Sequence, residues 1–438
     1  MLRTKILFSV IEFVILTSVQ FLTFRLVAAR LGVGQLGIWS VLIASVQVAK
    51  MLDPGLTAGS VRFIVKARDL DDRAAIGRLI STTVLVTTAT IGFALLLAYY
   101  PLQKLVAFAI PQDALQANLL LPYASMSYYS QSVAGALLNS LINVGVSQVK
   151  SVISSIGMLL QFTICILLID GHGLIGVAVA QMCNYAVLAV LSIFYLIAFA
   201  RIPFRFLFLP TFRYLGSMTQ TGATLQASSL VVTAFELLSR VLMSRFGGIE
   251  MVGYSEVATR AAAQMRLLMY YANQSIVPEY SSKQSNGGLK EFYITVYNNF
   301  ALIGFVLSLG LVLILPFIYV LLFNQFNLVF FAIIILATMG GYLNILSMPS
   351  ESLGAALALP RGTLIGAVLR LITLCFVIVL FVGEVNAIGV ASAVCFSIAL
   401  GACATIYLNS LKLGLRLFPE RPQFTVLYRL IVRDLKMT

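Results

Sequence analysis

The chain has 438 residues, of which 60% are hydrophobic and 10% charged, with a formal net charge of +13, and its mean hydropathy is +0.99. A water-soluble domain carries about 25% charged residues, so soluble enzymes and nucleic-acid-binding proteins are excluded, and the alternating pattern of an outer-membrane barrel is absent. The composition is that of an all-α polytopic membrane protein, in which each spanning helix needs about 20 mostly apolar residues.

The N-terminal run MLRTKILFSVIEFVILTSVQFLTFRLVAARLG starts like a signal peptide. It is too long for one, contains Glu12 and Arg25, and lacks a small-residue cleavage site, so it reads as a retained first span. Twelve spans are predicted in all, at 6–29, 36–58, 79–100, 117–142, 150–169, 174–200, 214–244, 251–278, 292–323, 328–352, 361–383 and 386–411. Asp170-Gly-His-Gly173 is the turn between the fifth and sixth, which makes His172 a solvated loop residue rather than a proton relay. The five cysteines all fall in apolar runs without CxxC spacing and read as packing residues, with no metal site and no redox pair. The longest outer loop, 101–116, leaves no room for a catalytic domain.

Two stretches repeat. Gly173–Ala180 (GLIGVAVA) is answered by Asn386–Ala393 (NAIGVASA), with Gly176 matching Gly389. Arg30-Leu-Gly32 followed by Leu36-Gly-Ile-Trp39 is answered by Arg245-Phe-Gly247 followed by Val252-Gly-Tyr254. An even number of spans per copy makes the repeats parallel. The expected organisation is an N-terminal six-helix lobe (1–200), a connector (201–213), a second six-helix lobe (214–411) and a basic tail (412–438).

Basic residues set the expected orientation. With the N-terminus inside, 20 Lys and Arg fall in cytoplasmic segments, against Arg30, Lys104 and Arg245 outside. Both termini are then cytoplasmic, as the positive-inside rule requires, and the net charge faces an anionic inner leaflet rather than nucleic acid. Three segments suit that surface. In the tail, Phe424, Leu427, Tyr428, Ile431 and Leu435 share one helical face, with Arg429, Arg433 and Lys436 on another. Residues 60–78 mix charge and apolar residues in the same way, and RIPFRFLFLPTFRY (201–214) joins the halves.

Eleven charges fall inside spans: Glu12, Arg25, Lys50, Asp53, Glu236, Arg240, Glu256, Arg260, Arg266, Glu351 and Arg370. Each costs at least about 2.5–3.5 kcal/mol at mid-bilayer. Nine lie on the first two spans of each half. Glu236–Arg240, Glu256–Arg260 and Lys50–Asp53 have i,i+4 or i,i+3 spacing and can neutralise themselves. Arg25, Arg266 and Arg370 have no such neighbour; snorkelling competes with a ligand-binding role for Arg25, which sits near a span end. Thr219, Gln226, Thr233 and Arg240 recur every seven residues and so share a face. Helix–helix hydrogen bonding and a water-filled wall both account for that stripe. With the local pairs subtracted, three arginines stand against Glu12 and Glu351, a net positive balance suited to phosphate or diphosphate.

The segment 29–64 contains Arg30-Leu-Gly32, Gly37-Ile-Trp39, Leu52-Asp53-Pro54-Gly55-Leu56 and Arg62-Phe63. It resembles the opening of polysaccharide-biosynthesis flippases (O-antigen type) in the multidrug/oligosaccharidyl-lipid/polysaccharide exporter superfamily. The resemblance implies two six-helix lobes in a V around a central cavity and alternating access. The implied cargo is a polyprenyl-diphosphate-linked oligosaccharide passed from the inner to the outer leaflet of a bacterial inner membrane, with polysaccharide polymerase machinery as a partner. Arg25, Lys50, Arg260 and Arg266 fall on helices where the family places cavity charge; Arg240, Arg370, Gln226 and Thr233 complete the candidate cavity. Glu236, Glu256 and Asp53 are candidates for gating or for coupling to a proton or sodium gradient, and no cofactor is implied. Pro54 departs from the pattern and is expected to kink the second span. A cation-coupled drug exporter of the same superfamily and a membrane polymerase or ligase are the alternatives. The first prefers an acidic cavity, and the second needs a catalytic outer loop.

Overall fold

A computed structural model describes residues 2–53, 55–286, 288–323, 328–356, 361–380 and 386–411. The amphipathic tail at 412–438, and Pro54 with its expected kink, lie outside these residues. The chain is all-helical. In order, the helices are α1 (Leu2–Leu31), α2 (Val33–Val46), α3 (Leu56–Gly59), α4 (Val61–Asp69), α5 (Arg73–Ala109), α6 (Ala114–Val144) and α7 (Ser147–Ala198). They are followed by α8 (Leu215–Gly247), α9 (Ile249–Asn286), α10 (Leu289–Phe323), α11 (Leu328–Ala356), α12 (Arg361–Leu380) and α13 (Ala387–Leu411). Among the described residues, nine helices are long and apolar enough to cross a membrane.

The nine become ten once α7 is seen as two rods, and α6 and α9 bring the number to the predicted twelve. Gly173, at φ 56 and ψ −132, interrupts its 52 residues, a conformation that only glycine adopts without strain. The rods fold back antiparallel. Asn184 donates to Gln161 across the hairpin at 2.8 Å, and a Cβ on Gly157 would meet Leu188. The second rod opens with GLIGVAVA, and its counterpart NAIGVASA opens α13, where the Asn386 side chain accepts the Gly389 N–H at 2.9 Å. The matched motifs thus mark the start of the last helix in each repeat. Polar content keeps α6 and α9 below the hydropathy of the other spans. Their sequences are rich in Asn, Gln, Ser and Tyr in the first case and in charge in the second.

The second predicted span is broken rather than continuous. After α2 the backbone tightens into a 3₁₀ turn at Gln47–Leu52 and leaves the helix at Asp53, whose Oδ1 accepts the Gly55 N–H at 3.0 Å. Gly55 is left-handed at φ 71, and α3 then starts at Leu56. The residue-53 carboxylate is therefore engaged in an Asx-type turn.

Packing divides the chain into two compact units, Met1–Gly253 and Tyr254–Thr438. Helix α8, the first of the second repeat, packs within the first unit. There the core gathers Leu56, Ile64, Ile80, Leu141, Leu196 and Ile202 with Met218 of α8. The second unit is built around Tyr280, Tyr293, Phe300, Ile345 and Leu353. Inside it, Tyr293 bonds Ser350 at 2.6 Å and Asn409 donates to the Ser350 carbonyl at 2.8 Å, tying α10, α11 and α13 together. Large apolar side chains stay on the outside, with Leu96 80% and Phe317 78% exposed, as lipid solvation permits.

Glu12 is not an uncompensated charge. It is 3% exposed and forms an ion pair with Lys150 at the start of α7. Removing one partner of such a pair strands the other. Glu12→Ala is expected to destabilise the protein by about 3 kcal/mol, and Glu12→Ala with Lys150→Met to recover most of that loss. Thermal unfolding of the purified variants in detergent would measure both.

Candidate functional site

Helix α8 is seated on the α2–α3 segment through glycine. A Cβ on Gly222 would strike the backbone of Gly55; one on Gly55 would lie 2.6 Å from the Gly222 carbonyl oxygen; and one on Gly59 would meet the Met218 carbonyl. A second close approach joins α2 to the start of α9. A Cβ on Gly37 would meet the Ile249 carbonyl and come within 3.2 Å of the Gly253 nitrogen, and one on Gly253 would meet Val33. Gly37 and Gly253 are counterparts in the sequence repeat, 216 residues apart.

The polar stripe on α8 runs along this seam. Lys50 donates its Nζ to Ser229 at 2.9 Å, and Gln226 donates to the Lys50 carbonyl at 3.2 Å. Gln226 thereby adds a second hydrogen bond to a carbonyl that also accepts the Asp53 N–H at 3.1 Å, at the end of the 3₁₀ turn. Arg240 donates from Nε to Ser40 of α2 at 3.1 Å. Its neighbour Glu236 is 3.9 Å away, and the Glu236 side chain is 51% exposed. Thr233 is buried and donates to its own helix at the Ser229 carbonyl, 2.9 Å. Helix–helix hydrogen bonding thus accounts for Gln226, Ser229 and Arg240. The expected Lys50–Asp53 pair does not form. The break in the helix at Asp53 removes the i,i+3 geometry, and the two side chains take Ser229 and the Gly55 N–H instead. Arg25 lies exposed on α1 and makes no ion pair or hydrogen bond among the described residues.

In the second unit, Arg260 and Glu256 form the expected i,i+4 pair at 2.7 Å, with the Glu256 side chain 7% and that of Arg260 41% exposed. Six residues further along α9, Arg266 is half-buried and makes no ion pair or hydrogen bond among the described residues. Arg370 is buried where α12 crosses α13, with its Cβ 3.0 Å from where a Cβ on Gly401 would sit. Glu351 accepts a hydrogen bond from Ser347 at 2.8 Å.

Within the first unit, then, Lys50, Gln226, Arg240, Thr233 and Glu236 come together along one seam, and Arg25 stands apart on the exposed face of α1. In the second, Glu256 and Arg260 pair on α9, Arg266 makes no ion pair or hydrogen bond among the described residues, and Arg370 is buried on α12. Sequence spacing missed Lys150 and Ser40. Their partners are 138 and 200 residues away, and neither has a local periodicity that would announce it. Among the described residues no cluster of His, Cys, Asp and Glu could hold a metal ion.

The chemical balance follows. Of the carboxylates within spans, Glu12, Glu236, Glu256 and Glu351 each have a cation or hydroxyl within reach, and Asp53 has a backbone N–H. Arg25 and Arg266 have none among the described residues. The excess is positive.

No protein-family model and no curated protein matches the chain. Solved structures do match its backbone. An inward-facing multidrug resistance MATE family transporter of the MOP superfamily aligns with a TM-score of 0.72 at 14% identity, over 91% of this chain and 94% of that one. A MOP superfamily transporter from Pyrococcus furiosus, described as having a binding pocket of reverse polarity that suggests a different function, aligns at 0.67 and 14%, over 94% and 95%. An outward-facing MATE family transporter aligns at 0.63 and 15%, over 94% and 95%. At these identities the likeness is one of fold.

Proposed function

We propose that the chain is a flippase that carries a polyprenyl-diphosphate-linked oligosaccharide across the bilayer by alternating access. The observation that carries this reading is the charge balance. Intramembrane carboxylates are engaged, whereas Arg25 and Arg266 hold positive charge without an acidic partner among the described residues. An unneutralised guanidinium well inside a span, as expected for Arg266, costs several kcal/mol, a cost that a diphosphate offsets through paired N–H···O contacts. The shared fold supports the transport mode, because that fold has been solved in both inward- and outward-facing forms. A cationic drug would instead meet like charge. Nor is pocket polarity fixed across the fold, as the description of the Pyrococcus protein says of that transporter.

Among the carboxylates we assign ion exchange to Glu236. It is half exposed and loosely paired, because Arg240 bonds Ser40; Glu256 is held tightly by Arg260. Glu236→Gln is expected to leave cargo binding within about twofold and to abolish the response of transport to an imposed proton or sodium gradient. Flux measured with and without each gradient would check it.

The deciding experiment is reconstitution into liposomes with a fluorescent polyprenyl-diphosphate oligosaccharide in one arm and a cationic dye in the other. Protein-dependent exchange of the lipid between leaflets is expected. Dye export without lipid exchange would replace the proposal with drug transport.

A further inference from the structure

One end of the first unit gathers cations that have no acidic partner. Arg62 and Lys66 on α4, Arg78 near the start of α5, and Arg201, Arg205 and Arg213 in the connector are all exposed. None forms an ion pair among the described residues. The nearby acids are already engaged: Asp69 with Arg68 at 3.0 Å, Asp71 with Arg73 at 3.3 Å, and Asp72 as the N-cap of α5, accepting the Ala75 N–H at 2.9 Å.

Aromatic rings hold four of these guanidiniums in place. Arg78 and Arg205 both stand over Phe206, at 4.9 and 4.6 Å from its centroid. Arg62 stands over Phe63 at 5.3 Å and Arg213 over Tyr214 at 5.7 Å, and those two rings pack 5.6 Å apart. The connector itself is anchored. Ile202 is 1% exposed, the Thr211 N–H donates to Thr82 Oγ1 at 2.8 Å, and that hydroxyl lies within donating distance of the Arg78 and Thr211 carbonyl oxygens, at 2.8 and 3.0 Å. Between the anchors Phe204, Phe208 and Leu209, and just past them Phe212, are each more than half exposed. The segment therefore presents apolar rings and fixed positive charge on one fastened strip.

That combination has one fitting solvent. Large exposed aromatics are costly in water, and rings interleaved with Arg at the end of apolar spans match the membrane interface. We propose that α4 and the connector form a binding belt for anionic phospholipids of the bordering leaflet. The guanidiniums grip headgroup phosphates, whose oxygens suit their planar forks, and the phenylalanines enter the acyl boundary. The belt is separate from any residue assigned to cargo, so it stands or falls independently of the transport reading.

The test uses the full-length protein in phosphatidylcholine micelles, with phosphatidylglycerol titrated in and retention measured by native mass spectrometry alongside thermal unfolding. Phosphatidylglycerol is expected to bind and to raise the unfolding temperature. The combined substitution Arg62→Gln, Arg78→Gln, Arg205→Gln and Arg213→Gln should weaken retention by about tenfold or more, given the pull of anionic lipid on each basic residue. It should also remove the thermal shift. The four Arg→Lys changes, which keep the charge but not the fork, should leave both at an intermediate level, which separates lost charge from failed folding. Lys104→Gln, far along the chain on α5, should change neither. Equal retention by the Gln variant, an equal shift from extra phosphatidylcholine, or an equal shift from inorganic phosphate alone would each overturn the proposal.

Discussion

Arg266→Ala is expected to lower exchange of the lipid-linked oligosaccharide by about 10- to 100-fold, the equivalent of the 1.5–3 kcal/mol carried by a hydrogen bond to a charged group. Arg266 makes no ion pair or hydrogen bond among the described residues, so its loss leaves no stranded partner, and unfolding temperature and membrane level should stay near wild type. Arg266→Lys retains the charge but not the planar fork, and an intermediate rate is expected. Liposome exchange rates, normalised to reconstituted protein, would decide the matter. Undiminished exchange by the alanine variant would remove this arginine from the cargo path.

Gly222→Val is expected to prevent accumulation of folded protein. The added Cβ meets the Gly55 carbonyl and its flanking backbone atoms. No side chain can rotate away, so α8 must lift off α3. Overpacking ordinarily costs about 1–3 kcal/mol, and this contact, rigid on both sides, should exceed that range. Gly216→Ala, six residues earlier on α8, has nothing within 4 Å of the new Cβ. It should be neutral or stabilising by up to about 1 kcal/mol through helix propensity. Fluorescence-detected size exclusion and thermal unfolding of both variants would separate a packing cost from a general intolerance of substitution in α8.

Most of the scaffold is legible in hydropathy, because a spanning helix is specified by a long, continuous apolar stretch. The turn at Asp170-Gly-His-Gly173 could be placed because Gly and Asp mark reversals. Equally, the GLIGVAVA and NAIGVASA motifs located the final helix of each repeat. Where a signal depends on one helix alone, it held, as with Glu256 and Arg260 four residues apart. Lys50 and Asp53 show the limit. Three-residue spacing predicts an ion pair only if the helix continues, and here the backbone changes pitch and then exits. The Glu12–Lys150 pair and the Arg240–Ser40 bond were invisible for a different reason, since packing brings together residues with no periodic relation. The membership of α8 in the first compact unit was likewise hidden. A sequence repeat marks where a copy begins, whereas the glycines at positions 55 and 222 decide what that copy's first helix lies against.

The contact between Gly37 and Gly253 couples the two copies of the repeat. Each is the other's counterpart in the duplicated sequence, and a residue that touches its own equivalent is what the axis of an isologous dimer displays. Neither copy is at liberty to drift alone there, because any bulk acquired by one presses upon the backbone of its twin.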